Sequence, residues 1–181
     1  MGYHERHLPH WQPEGAAVFV TWRLFGSIPR RLLLKQNELS SARAFREFDQ
    51  LLDKAAYGPV WLKNPRIAKR VVDALRFGKT DMNLYELVAF CVMANHVHLL
   101  IQPNSSLSQI TRAIKGFTAR EANCILERTG QRFWQDESYD RWIRDKDALN
   151  RVIRYIERNP VSAGLVTAIE DYPWSSACQK T

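Results

Sequence analysis

The sequence predicts an α+β fold: an antiparallel β-sheet with helices packed on it, close to the split β-α-β (ferredoxin-like) arrangement. Three observations carry this. The apolar periodicity alternates between two and about 3.6 residues, in the order β-α-α-β-β-α-β-α. Two apolar runs, 84–93 and 96–103, are joined through the short turn "MAN" (93–95) and so pair as an antiparallel hairpin. Helical segments lie on both sides of that hairpin, which mixes helices with an antiparallel sheet.

In chain order, "AAVFVTWRL" (16–24) is rich in β-branched and aromatic residues and reads as the first strand, broken by "FGSIPRR". Leu39, Ala42, Phe45, Phe48 and Leu52 recur with a helical period over 38–54, and "AYGPVW" (56–61) reads as a loop. Asn64 and Pro65 are the cap and first position of a second helix, which carries Ile67, Val71, Val72 and Leu75 and is stopped by Gly78. After the hairpin, Ser106 caps a helix over roughly 107–128, with Leu107, Ile110, Ile114, Phe117 and Ile125 on its apolar side. "SYDRWIR" (138–144) alternates as a strand, and "DALNRVIRYIERN" (147–159) is a last helix ended by Pro160.

These elements fit one domain, 1–181, with a basic N-terminal segment (1–15) and a C-terminal tail (167–181). The net charge of +7, from 26 basic and 19 acidic residues, favours a polyanionic partner, nucleic acid before an anionic membrane. Cys91, Cys124 and Cys178 lack the CxxC spacing of a zinc knuckle or a disulfide framework, and read as free thiols of a reducing cytoplasm. No apolar run matches a signal peptide or a membrane span, so no membrane role is expected. His4, His7 and His10 have helical spacing, but Pro9 and Pro13 argue against a helix there.

Two of the five histidines stand one residue apart in the second hairpin strand. Residues i and i+2 of a strand share a face, so His96 and His98 project together, with Leu100 and Gln102. Val97, Leu99 and Ile101 project to the other side, a purely apolar face that covers the core. Either the imidazoles hydrogen-bond to backbone or solvent, or they converge on one divalent ion that needs a further ligand. In the last helix Leu149, Val152, Ile153 and Ile156 form an apolar stripe, and Arg151, Arg154 and Arg158 fall opposite it. Tyr155 lies on the border, with Asn159 at i+4 on the same side. Taken alone these are a boundary tyrosine and a solvated basic face.

"NHVHLLIQP" followed downstream by "YIERNPVSAGLV" resembles the HUH-type single-tyrosine transposases. The branch it is most similar to is that of the REP-associated tyrosine transposases, relatives of the transposases of the smallest bacterial insertion sequences. The likeness runs from "HLPHWQPEGAAVFVTWRL" through "FWQDESYDRWIRD" to "YPWSSA". It implies the HUH nuclease fold, His96 and His98 as metal ligands, and Tyr155 as nucleophile. Asn159 takes the place of a third ligand, where the insertion-sequence relatives carry glutamine. The implied reaction is cleavage and transfer of single-stranded DNA next to hairpin (REP-like) elements through a 5′-phosphotyrosine intermediate. Imidazole and carboxamide with phosphate oxygens suit Mg²⁺ or Mn²⁺, and no third His, Cys or carboxylate is placed by spacing for zinc.

The phosphate contacts expected are Arg112, Lys115 and Arg120 on the long helix, where Gly116 permits close approach, together with Arg151, Arg154 and Arg158. The resemblance leaves a monomer and a homodimer open and implies a cytoplasmic, nucleoid-associated protein. Three other functions stay open beside this one. They are a catalytically silent DNA-hairpin-binding protein derived from a transposase, a replication-initiator or relaxase-type HUH nuclease, and an unrelated metal hydrolase that has no use for Tyr155. One nucleophilic tyrosine, out of six tyrosines in all, and a length with no room expected for a helicase domain favour the transposase branch.

Overall fold

The computed structural model describes residues 15–29, 32 and 42–179. The N-terminal segment with His4, His7 and His10, and the start of the first predicted helix, lie outside the described residues. Among the described residues, four strands form one antiparallel sheet in the order β2-β3-β1-β4: β1 (Val18–Arg23), β2 (Tyr85–Val92), β3 (His96–Pro103) and β4 (Tyr139–Trp142). Among the described residues, the α-helices whose bounds are described are α1 (Ala42–Asp53), α2 (Pro65–Thr80), α3 (Leu107–Ile125) and α4 (Lys146–Ser162). The strand order is that of the split β-α-β unit expected from the sequence. No helix of the described residues is long and apolar enough to cross a membrane.

Both faces of the sheet are buried. On one, Val20 and Trp22 of β1 and Val97, Leu99 and Ile101 of β3 pack against Ile67, Val71 and Leu75 of α2 and Ile110 and Ile114 of α3. On the other, Phe19, Leu100 and Cys91 pack against Phe45 of α1 and Ile156 of α4. The histidine face of β3 is therefore no open surface but one wall of a space between the sheet and two helices.

Local signals explain most helix ends. The Asn64 side chain accepts from Arg66 N, and Ser106 forms a reciprocal capping box with Gln109. Two predicted stops are corrected. Gly78 lies inside α2, which runs on to Thr80. A Cβ there would lie 2.5 Å from the hydroxyl of Tyr85, which donates to Leu75 O, so the glycine makes room for a buried tyrosine. Pro160 also lies inside its helix, which continues to Ser162. Asn159 is helical, not turned toward extended geometry as the following proline predicts. So close to the helix end the proline forfeits little, and Gly164 makes the true stop. Gly164 has φ 70°, its N–H donates to Val161 O and that of Leu165 donates to Pro160 O, a Schellman motif.

The C-terminal tail is docked. Trp174 O accepts from Val92 N, Ser176 N donates to Phe90 O, and the Tyr172 hydroxyl donates to Val92 O. This segment covers the outer edge of β2, an edge that would otherwise expose unpaired backbone groups.

Candidate active site

The histidine pair is held from behind. In the β1–β3 register Thr21 lies opposite His98 and Arg23 opposite His96, and Thr21 Oγ1 is 2.8 Å from His98 Nδ1. Asn95, in the β2–β3 turn, donates through Nδ2 to Leu52 O at 3.0 Å and places Oδ1 2.7 Å from His96 Nδ1. A carbonyl only accepts, so Leu52 O fixes the orientation of the Asn95 amide. Its Oδ1 then requires a proton on His96 Nδ1, which leaves the neutral ring's lone pair on Nε2. The two Nε2 atoms face each other at 3.1 Å, and both residues are 0% exposed. Metal-ligating histidines are held by partners of this kind. Arg23, also buried on this face, donates to Ser27 Oγ, and burial lowers its pKa despite the opposing charge of Glu137.

Helix α1 supplies two carboxylates that the sequence reading missed. Asp49 Oδ2 lies 3.2 Å from His98 Nε2, and Asp49 Oδ1 3.8 Å from His96 Nε2. Asp53 Oδ1 is 3.6 Å from His96 Nε2. A signal for Asp49 existed. At ~100° per residue it falls about 40° from Phe45, between Leu52 and Ala42, so it is a carboxylate within the apolar stripe. Three of its four stripe neighbours are apolar aromatic or leucine residues, a setting in which an unpaired charge is costly.

The electrostatics mark the cluster as short of positive charge. Burial pushes the Asp49 carboxyl up, but the charge of His98, its hydrogen bond, the charge of His96 and the Tyr155 hydroxyl outweigh it and hold the pKa down to about 2. Burial and the neighbouring Asp49 raise Asp53 to about 7, against weaker opposition from His98 and Asn159. Burial and the charge of His98 lower His96 to about 3, with Asp49 opposing. Asp49 Oδ1, Asp53 Oδ1 and Asn159 Oδ1 are all buried without a hydrogen-bond partner. One ligand atom each from Asp49, His96 and His98 lie within 4.8 Å of one another. Two imidazoles, a carboxylate and orphaned oxygens around one point fit a divalent cation, which would satisfy the oxygens and offset the charge. The third ligand that spacing did not place is thus a carboxylate, Asp49, and the donor set no longer disfavours zinc.

Helix α4 brings Tyr155 and Asn159 to the same place. The Tyr155 hydroxyl donates to Asp49 Oδ2, and its ring stands edge-on to Phe19 and His98. Asn159 Nδ2 is 3.3 Å from His98 Nε2. The other tyrosines near this side are engaged otherwise: Tyr139 stacks on Phe45 and Tyr172 reaches Val92. Arg151, Arg154 and Arg158 lie on the exposed side of α4. Arg112 and Arg120 are exposed on α3, beyond the opposite face of the sheet. Lys115 Nζ donates to the carbonyls of Gln135 and Asp136 at 2.7 and 2.9 Å, and so ties the segment before β4 to α3. At Gly116 an added Cβ would meet only Arg120, at 3.9 Å, so no protein backbone uses the room there.

A split β-α-β sheet whose central strand presents a histidine pair to a tyrosine on the last helix defines an HUH-type single-tyrosine domain. The chain belongs to the IS200-like transposase family, whose family model matches residues 60–159, a stretch that includes His96, His98, Tyr155 and Asn159. It is 31% identical over 104 residues to a protein of Haemophilus influenzae named as a REP-associated tyrosine transposase, which covers 51% of this chain and 58% of that protein. The chain thus spans little more than half of that relative's length. A solved REP-associated tyrosine transposase bound to a REP hairpin shares the fold, with a TM-score of 0.60 at 18% identity over 99% of this chain and 84% of that one.

Proposed function

We propose that the protein cleaves and rejoins single-stranded DNA beside hairpin (REP-like) elements, with Tyr155 as the nucleophile that becomes 5′-phosphorylated. One observation carries this reading: the Tyr155 hydroxyl is hydrogen-bonded to Asp49, which itself borders the buried His96–His98 pair. A boundary tyrosine needs no such partner. The reaction forms a bond between the tyrosine oxygen and phosphorus and breaks the bond to O3′, so the phosphodiester energy is kept for rejoining.

His96, His98 and Asp49 would hold the ion, with Asn159 and Asp53 as further oxygen donors. When bound, a divalent ion, Mg²⁺ or Mn²⁺, polarises the scissile phosphate and stabilises its developing charge. Asp49 orients the phenol rather than keeping its proton. The reference pKa of tyrosine is about 10, and a carboxylate that His98 and His96 hold well below the usual range is a poor final acceptor for its proton. Arg151, Arg154 and Arg158, on the helix that carries Tyr155, would hold phosphates of the bound strand. Arg112 and Arg120 would reach only DNA that wraps the far side of the sheet, and Lys115 serves mainly as a brace.

The test is incubation of labelled, hairpin-bearing single strands with protein and Mn²⁺, followed by denaturing electrophoresis. A covalent adduct is expected with the wild-type chain and none with Tyr155→Phe, while hairpin binding stays within about twofold because one hydroxyl is lost. Hairpin binding without an adduct in the wild type would identify a catalytically silent binder. An adduct that survives in Tyr155→Phe would assign the chemistry to another tyrosine.

A further inference from the structure

Beside the histidine pair is a cleft of about 140 Å³, bounded by the end of α1, the turn around Lys63, the β2–β3 turn and the end of α4. His96 and Asp53 line it from within, and Lys54 and Lys63 line it where both side chains are exposed. Neither lysine is paired with a carboxylate among the described residues. Asp53 belongs to both places, for it borders the cleft and its Oδ1 lies 3.6 Å from His96 Nε2. At ~30 Å³ per liquid water the volume suits about four or five waters, or a phosphate with part of a sugar, but not stacked bases.

The position of the cleft relative to Tyr155 gives it a direction. Tyr155, Asn159 and Ala163 follow one another at i+4 along one side of α4. Tyr155 stands by His98, Asn159 reaches His98 Nε2, and Ala163 lines the cleft with His96. At ~1.5 Å per residue, Tyr155 and Ala163 are about 12 Å apart along the axis. The nucleophile and the cleft thus flank the histidine pair from opposite sides. Displacement at phosphorus runs roughly in line, so the departing oxygen leaves away from the attacking one.

We propose that this cleft is the subsite for the departing strand, the DNA 5′ of the cleaved bond, and that Lys54 and Lys63 bind its phosphates. The assignment rests on the nuclease reading above. In cleavage the Tyr155 oxygen–phosphorus bond forms, the phosphorus–O3′ bond breaks, the phenol gives up a proton and O3′ takes one. In rejoining, the 3′-hydroxyl of a strand in the cleft attacks the phosphotyrosine and the phenol regains its proton. The subsite retains the strand in the first direction and positions an acceptor in the second.

The experiment uses the full chain loaded as its covalent adduct, to which oligonucleotides ending in a 3′-hydroxyl are added at increasing concentration. Lys54→Ala/Lys63→Ala should raise the acceptor concentration for half-maximal rejoining about fivefold, as expected for two exposed ion pairs, with the maximal rate within about twofold. Lys54→Arg/Lys63→Arg should restore it. An unchanged half-saturation overturns the assignment, as does a loss confined to hairpin binding. Failure of the wild-type chain to form any adduct overturns the nuclease reading and this subsite with it. An adduct whose rejoining ignores both lysines overturns the subsite alone.

Discussion

Asp49 divides its two oxygens between the two halves of the site. Oδ2 accepts the Tyr155 hydroxyl and lies by His98, while Oδ1 has no hydrogen-bond partner and lies on the His96 side. Asp49→Asn keeps the shape and removes the charge, so it separates ligand from spacer. The Mn²⁺ concentration for half-maximal adduct formation should rise by at least about tenfold, since even partners behind the ligands are worth ~10–100-fold. Asn159→Ala should shift the same midpoint by less, because an amide oxygen is a neutral donor. A midpoint unmoved in Asn159→Ala would leave that residue a purely structural role in α4.

At the scale of elements, α4 shows which signals win. Pro160 gave the louder stop signal and Gly164 the true one, because the positive φ is needed where the chain leaves the helix. Gly164→Ala should therefore destabilise the fold by about 1–2 kcal/mol, read as a lowered denaturant midpoint with unchanged slope. The hairpin, the shared face of His96 and His98 and the border position of Tyr155 were legible because each follows from a period within one element. The carboxylates of α1 were not, because a period tells which residues share a face and not what that face meets. Asp49 stood in an apolar stripe, and only the packing of α1 over β3 turns that oddity into a site. The burial of the histidine face was hidden for the same reason: it takes two helices distant in sequence to cover it.

For the whole molecule, the site joins α1, β3 and α4, so an ion there cross-links three elements. Mn²⁺ at about 100 times its dissociation constant should stabilise the fold by ~2.7 kcal/mol, a Tm rise of roughly 5–10 °C that EDTA reverses and Asp49→Asn largely abolishes. The metal-free protein has its own pH signature. Asp53 is raised from 3.8 to about 7, so its contribution is full below about pH 3.8 and is lost as pH rises toward 7. His96 is lowered from 6.5 to about 3, so its contribution is full above about pH 6.5 and is lost as pH falls toward 3. Between these limits the two slopes oppose and nearly cancel. Asp53→Asn removes one of them, and in EDTA the stability of the variant relative to the wild type should climb with pH from about 4 to 6.5, by up to ~1.4 kcal/mol per unit. A difference that stays flat over that range would mean that Asp53 does not titrate there.

The Asn95 bridge has a consequence for how this site can drift over generations. The proton on His96 is set by Asn95, and Asn95 is set by the main-chain oxygen of residue 52. Any side chain at 52 keeps that oxygen, so no single codon change there deletes it. The hereditary burden of orienting His96 falls on position 95 alone, where aspartate would turn an acceptor toward the carbonyl and lysine or leucine would leave the ring unguided. Among descendants of this chain, position 52 is free to vary among apolar residues of suitable volume, while a lineage that loses Asn95 loses the rule that keeps Nε2 open.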